Sequence, residues 1–158
     1  MARPEPRLIE ALRLTADRVE RGAAYRWTHM GRCNCGHLAQ TVTHKTPVEI
    51  HRIALEKPGD WTQQALDYCP SSGFPMDHIL QCLLDLGLHS SDIGALERLS
   101  DTKVNARIPA SRRPLDRRSH SDLILYLRTW ANMLEEQWLA GQEVPSHLPV
   151  EVLVAADR

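Results

Sequence analysis

Apolar positions in this chain recur at three- and four-residue intervals, the spacing that gathers them on one face of an α-helix. Leu8, Ile9, Leu12, Ala16 and Val19 form the first stripe, with Pro6 able to sit in the opening turn and Gly22 able to end the helix. Thr46-Pro47-Val48-Glu49 has the form of a capping box with proline at the first helical position, predicting a helix from about 47 to 57 that Pro58-Gly59 stops. Asp60 and Gln63 repeat the signal for a short helix ending near Tyr68. Pro75 opens another through Ile79, Leu80, Leu83 and Leu86, with Gly87 as its cap, and Ser90 or Ser91 begins one carrying Ile93, Leu96 and Leu99. The broadest stripe comes last. Leu123, Tyr126, Leu127, Trp130, Met133, Leu134 and Trp138 predict a helix of about 20 residues, roughly 30 Å long, closed by Gly141.

Two stretches break this rhythm. Residues at about 22–36 have glycines and no period, and read as a His/Cys-rich loop feeding a helix of about 35 to 45, with Asn34 as candidate N-cap. Asp101 to Arg118 carries two prolines and six basic residues, and reads as a basic loop at about 101–118. Strand-like alternation is confined to Val150, Val152 and Val154, a segment with no obvious partner strand. The expected fold is all-α: a single-domain bundle of six or seven unequal helices packed on a long C-terminal helix, spanning 1–141, with 142–158 as a C-terminal tail.

Composition bounds the function classes. The 158 residues, 42% hydrophobic and 25% charged, suit one domain with a real core. Lys plus Arg number 19 against 20 Asp plus Glu, so a net charge of −1 supplies no global field for general nucleic-acid binding. A protein partner or a homo-oligomer is left open. The first twenty residues are charged throughout, and no apolar run approaches the roughly 20 residues that span a bilayer, so no membrane association and a cytoplasmic location are expected.

The chemical signal is the placement of cysteine and histidine: all 4 Cys and five of the 8 His fall between His29 and Cys82. His29, Cys33, Cys35 and His37 put four metal-ligating side chains on one flexible loop, and thiolate with imidazole suits zinc or iron. Their spacing, H-x3-C-x-C-x-H, is neither a paired CxxC knuckle nor a CxxCH haem motif, and no nucleotide signature is present. His78 and Cys82 are four residues apart on a helix, so both can approach one ion if the Cys33 loop folds over that edge. The metal ligands expected are therefore drawn from His29, Cys33, Cys35, His37, His78 and Cys82.

The remaining candidates divide by helix geometry. His44 is about 10.5 Å along the axis from His37, too far to share an ion, and reads as a surface position. His51 falls inside a wide apolar arc, where a histidine needs a partner for its ring nitrogens or serves as ligand or base. Cys69 reads as a small buried apolar residue, which free cysteine commonly is. The principal alternative to a metal site is a Cys-dependent enzyme. In it Cys35, in the first turn of a helix, has a lowered pKa and His51 is a candidate base. A third reading is a metal-free helical interaction protein in which Lys103, Arg107, Arg112, Arg113, Arg117 and Arg118 meet an acidic partner or a phosphate.

Overall fold

The structure, a computed structural model, describes residues 1–142. The described residues form eight α-helices: α1 (Pro6–Glu20), α2 (Asn34–Thr43), α3 (Pro47–Ala54), α4 (Trp61–Leu66), α5 (Pro75–Asp85), α6 (Ser90–Arg98), α7 (Thr102–Arg107) and α8 (His120–Gln142). A single 3-10 turn lies at Ala110–Arg112, and no strand occurs among them. The all-α class is as expected. The alternation at Val150, Val152 and Val154 lies outside the described residues.

Capping chemistry sets the helix starts. Thr46 Oγ1 accepts from the Glu49 N–H (3.2 Å) while Glu49 Oε2 accepts from the Thr46 N–H (2.7 Å), the reciprocal pair the sequence predicts. Asp60 Oδ1 accepts from the Gln63 N–H at 2.9 Å and opens α4. The helix beyond the expected six or seven, α7, lies inside the stretch expected as a basic loop. Asp101 Oδ1 accepts from the N–H groups of Lys103 (2.8 Å) and Val104 (3.0 Å), and Val104 and Ile108 are buried beneath. One cap and two apolar anchors at i, i+4 therefore outweigh the flanking prolines.

Two packing units share one continuous core. α8, about 34 Å long at 1.5 Å per residue, lies antiparallel along α1. Arg13 pairs with Glu135 at 2.6 Å, whereas Arg128 pairs with Asp17 at 3.0 Å and Glu20 at 2.7 Å. These half-exposed pairs fix the register and each contributes under about 1 kcal/mol. Leu8, Leu12 and Ala16 of α1 and Leu123, Leu127, Trp130 and Leu134 of α8 supply the buried seam. The other unit centres on α2, which packs against α1, α3, α5 and α6. Only α1 and α7 have extensive contact with α8, so the C-terminal helix is one wall of the bundle and α2 is its hub. No described helix is long and apolar enough to cross a membrane.

Candidate functional site

The loop from Tyr25 to Cys33 is irregular in sequence and tightly bonded in space. The Arg26 N–H donates to the Arg32 carbonyl (3.1 Å), and the N–H groups of Arg32 (2.7 Å) and Cys33 (2.9 Å) both donate to the His29 carbonyl. At its tip the Met30 peptide groups are held from two helices: the Met30 N–H donates to His51 Nδ1 (3.1 Å) and Trp61 Nε1 donates to the Met30 carbonyl (2.9 Å). A Cβ on Gly31 would collide with the Pro47 carbonyl, and one on Gly36 with the Met30 carbonyl. Both glycines are required because backbone crosses backbone here.

His29 and His51 stack with ring centroids 4.0 Å apart and planes inclined by 22°. His29 Nδ1 accepts from the Gly31 N–H at 3.2 Å, as His51 Nδ1 does from Met30, so in each neutral ring the proton belongs on Nε2. Burial, then the neighbouring His51, Arg32 and Arg26, lower the His29 pKa below the usual histidine value. His51, expected within the apolar arc, is half-buried and has found a backbone partner.

Cys33 and Cys35 flank the start of α2 and are sealed, at 0% and 1% exposure. The Cys35 thiol donates to the Ile93 carbonyl (3.2 Å), and its N–H donates to Glu97 Oε2 (3.2 Å). Burial, with the Glu97 carboxylate second, pushes both thiols well above the ordinary cysteine value. The expected lowering of Cys35 by the helix N-terminus is reversed. Its N–H is already bonded to a carboxylate, and desolvation penalises the thiolate more than the dipole favours it. Glu97, itself buried, has its pKa raised chiefly by that burial, and it caps α2 across space.

Asn34 is not the N-cap. It is the first residue of α2, Cys33 occupies the cap, and the Asn34 side chain bridges distant segments instead. Asn34 Nδ2 donates to the carbonyls of Glu97 (2.9 Å) and Arg117 (3.2 Å), while the Tyr25 hydroxyl lies 2.8 Å from Asn34 Oδ1 and 2.6 Å from the Arg117 carbonyl. Arg117 in turn places its guanidinium over the Trp27 ring, 5.0 Å from the centroid. The basic stretch is thus partly spoken for. Arg107 pairs with Glu136, and Arg112 with Asp122 at 3.1 Å.

His37 is fully enclosed, its ring parallel to Tyr25 with centroids 5.9 Å apart. Neither ring nitrogen reaches hydrogen-bond geometry with a described group, although the Ala24 backbone lies close enough to favour the protonated form. Burial first, then Arg18, lower its pKa to about 4. His78 and Cys82 meet on α5, Cys82 Sγ lying 3.9 Å from His78 Nε2, with His78 exposed and Cys82 half-buried. Cys69, expected buried, is exposed. His44 is at the surface, as its helix position implies, with φ 56° where α2 ends.

The six expected metal ligands are therefore split between settings. His29 stacks on His51, Cys33 and Cys35 bond to main-chain groups, His37 lies against Tyr25, and His78 with Cys82 forms a separate pair. Among the described residues, no group of three or more His, Cys, Asp or Glu side chains is placed to hold one ion.

Sequence reasoning missed Glu97, Tyr25 and Arg32, and assigned Asn34 a cap in place of its bridging role. For Glu97 a signal existed: it is four residues beyond Ile93, and so lies on the apolar face of α6, where a carboxylate needs a buried partner. A second polar cluster also escaped notice. Lys57 donates to the buried Asp77 carboxylate (2.9 Å) and Ser72 donates to its other oxygen, pinning the Cys69–Phe74 loop to α5. Burial alone would raise the Asp77 pKa, but Ser72 and Lys57 hold it below the usual carboxylate value. No family model matches the chain, and neither a curated protein nor a solved structure shows significant similarity to it.

Proposed function

We propose that this chain is a helical binding module whose recognition surface for an acidic partner is the loop Arg26–Arg32, with the Cys/His segment as its scaffold. One observation carries the reading. Arg26 and Arg32 sit on a firmly bonded loop beside two histidines, and neither makes an ion pair with any described carboxylate. Four other arginines, Arg13, Arg107, Arg112 and Arg128, do, and what sets this loop apart from the remaining arginines is its closed backbone and the stacked histidines beside it. The enclosed thiols of Cys33 and Cys35 support a scaffold role for these two cysteines rather than a nucleophilic one, since a reactive cysteine needs access and a low pKa. Four free thiols suit a reducing compartment, in keeping with the expected cytoplasmic location.

The test is fluorescence anisotropy with labelled polyglutamate and dextran sulfate at low ionic strength, with wild type and the double variant Arg26→Gln/Arg32→Gln. Binding that weakens with salt and is lost in the variant is expected. No binding to either polymer, or equal binding by the variant, overturns the reading.

A second reading keeps a metal role for His78 and Cys82, because the pair comes together on one helix face as chelation requires. Zinc or iron there needs further ligands, for instance from a second copy of the chain. Elemental analysis of the purified protein, alone and as His78→Ala, tests it: less than stoichiometric metal, or metal unchanged by the substitution, removes this reading.

A further inference from the structure

Resting on the metal reading of His78 and Cys82, we infer that this pair is half of a zinc site that a second copy of the chain completes, so that zinc joins two copies through α5. The donor distance points there. Cys82 Sγ lies 3.9 Å from His78 Nε2, and zinc, with Zn–S of about 2.3 Å and Zn–N of about 2.0–2.1 Å, sets tetrahedral donors about 3.6 Å apart. A small side-chain rotation therefore closes the pair on one ion. A thiolate with an imidazole is a soft set that suits zinc and not calcium or magnesium. Neither donor is committed to the fold: among the described residues, each has only the other as a hydrogen-bond partner, whereas the Cys33 and Cys35 thiols are spent on main-chain carbonyls.

Two donors leave a closed tetrahedral site two short. The carboxylates on the same helix are engaged, Asp77 by Lys57 and Ser72, and Asp85 Oδ1 by the Gln81 amide at 2.6 Å. Among the described residues no third His, Cys, Asp or Glu joins the pair. The pair does open outward, with His78 exposed and Cys82 half-buried, and its spacing is self-complementary. When two α5 helices lie antiparallel about a two-fold axis passing between positions 78 and 82, His78 of each copy faces Cys82 of the other. The four side chains then make a Cys2His2 set, a composition of structural zinc sites. The same register sets Asp85 opposite Pro75 of the other copy and not opposite a second carboxylate. Phe74, 44% exposed and one turn before His78, supplies an apolar rim to the contact. Each thiol releases its proton to solvent as it binds, so the pairing weakens on acidification.

Sedimentation velocity of the full chain, kept reduced with a phosphine and titrated with zinc, tests this on wild type, His78→Ala, Cys82→Ser and His44→Ala, with circular dichroism showing that each variant folds. Wild type and His44→Ala should pass from monomer to dimer as bound zinc reaches one ion per two chains, the full stoichiometry of a shared site, and should return to monomer on adding EDTA. His78→Ala and Cys82→Ser should need at least tenfold more zinc to dimerise, or stay monomeric throughout. A dimer that survives EDTA, or zinc-driven dimerisation unchanged in His78→Ala and Cys82→Ser, overturns the inference. Zinc held by a monomer at one ion per chain, and lost in His78→Ala, overturns it while leaving the metal reading intact. No zinc bound by wild type beyond that bound by His78→Ala overturns the two together.

Discussion

Acidification should destabilise this fold, and the largest histidine contribution should come from His37. In the folded chain its pKa is lowered to about 4, against an ordinary value of 6.5, because burial and then Arg18 disfavour the cation. Above pH 6.5 the ring is neutral whether the chain is folded or not, and its contribution is fully present. Between 6.5 and 4 the unfolded chain binds a proton that the folded chain refuses, so stability falls as pH falls through this window. At about 1.4 kcal/mol per pH unit the whole interval is worth about 3 kcal/mol, a large share of the 5–15 kcal/mol typical of a domain. The assay is urea denaturation of wild type and His37→Leu at closely spaced pH values from 7.5 to 4. Carboxylates titrate in both proteins, so the difference between the two curves isolates the imidazole. The stability of His37→Leu should decline less steeply, by about 3 kcal/mol in total. Parallel curves would refute the assignment, and would mean that the ring finds a proton acceptor in the folded chain.

Other outcomes follow from the same region. Gly36→Ala should cost about 3 kcal/mol or more in thermal or urea unfolding, because the new methyl meets the Met30 carbonyl and not a movable side chain. Under native conditions a thiol reagent should label Cys69 rapidly and Cys82 more slowly, and should reach Cys33 and Cys35 only after denaturation; rapid labelling of Cys35 in the folded chain would contradict its burial. Glu97→Ala should destabilise by about 1–3 kcal/mol by leaving the Cys35 N–H without an acceptor, whereas Glu97→Gln should cost under about 1 kcal/mol, both read by urea titration.

Helix by helix, the sequence is legible where the signal is local. The Thr46–Glu49 capping box, the proline starts at Pro6, Pro47 and Pro75, and the stripe from Leu123 to Leu134 all specify their elements within a few residues. α7 was obscured because Pro109, Pro114 and the arginines suggest a loop more strongly than the one cap at Asp101 suggests a helix. The candidate site was harder still. The spacing of Cys33, Cys35 and His37 looks like a ligand set along the chain, but what each side chain meets is set by groups elsewhere in the sequence. Ile93 and Glu97 arrive from α6 to seal Cys35, and Tyr25 covers one face of His37. Spacing within nine residues carries no information about those neighbours. Arg32 presents the converse case: nothing in its local sequence reveals that it forms no ion pair with a described carboxylate.

The Asn34 amide joins its own helix to carbonyls 63 and 83 residues further along the chain, and the Tyr25 hydroxyl reaches the second of these across 92 residues. Contacts of such separation close large loops at an entropic cost. The junction ties the start of α2 to α6 and to the segment before α8 by hydrogen bonds, which need those segments already in place. Substitutions at Asn34 should leave the refolding rate nearly unchanged and raise the unfolding rate, placing the junction's effect on the lifetime of the native state rather than on how quickly it is reached.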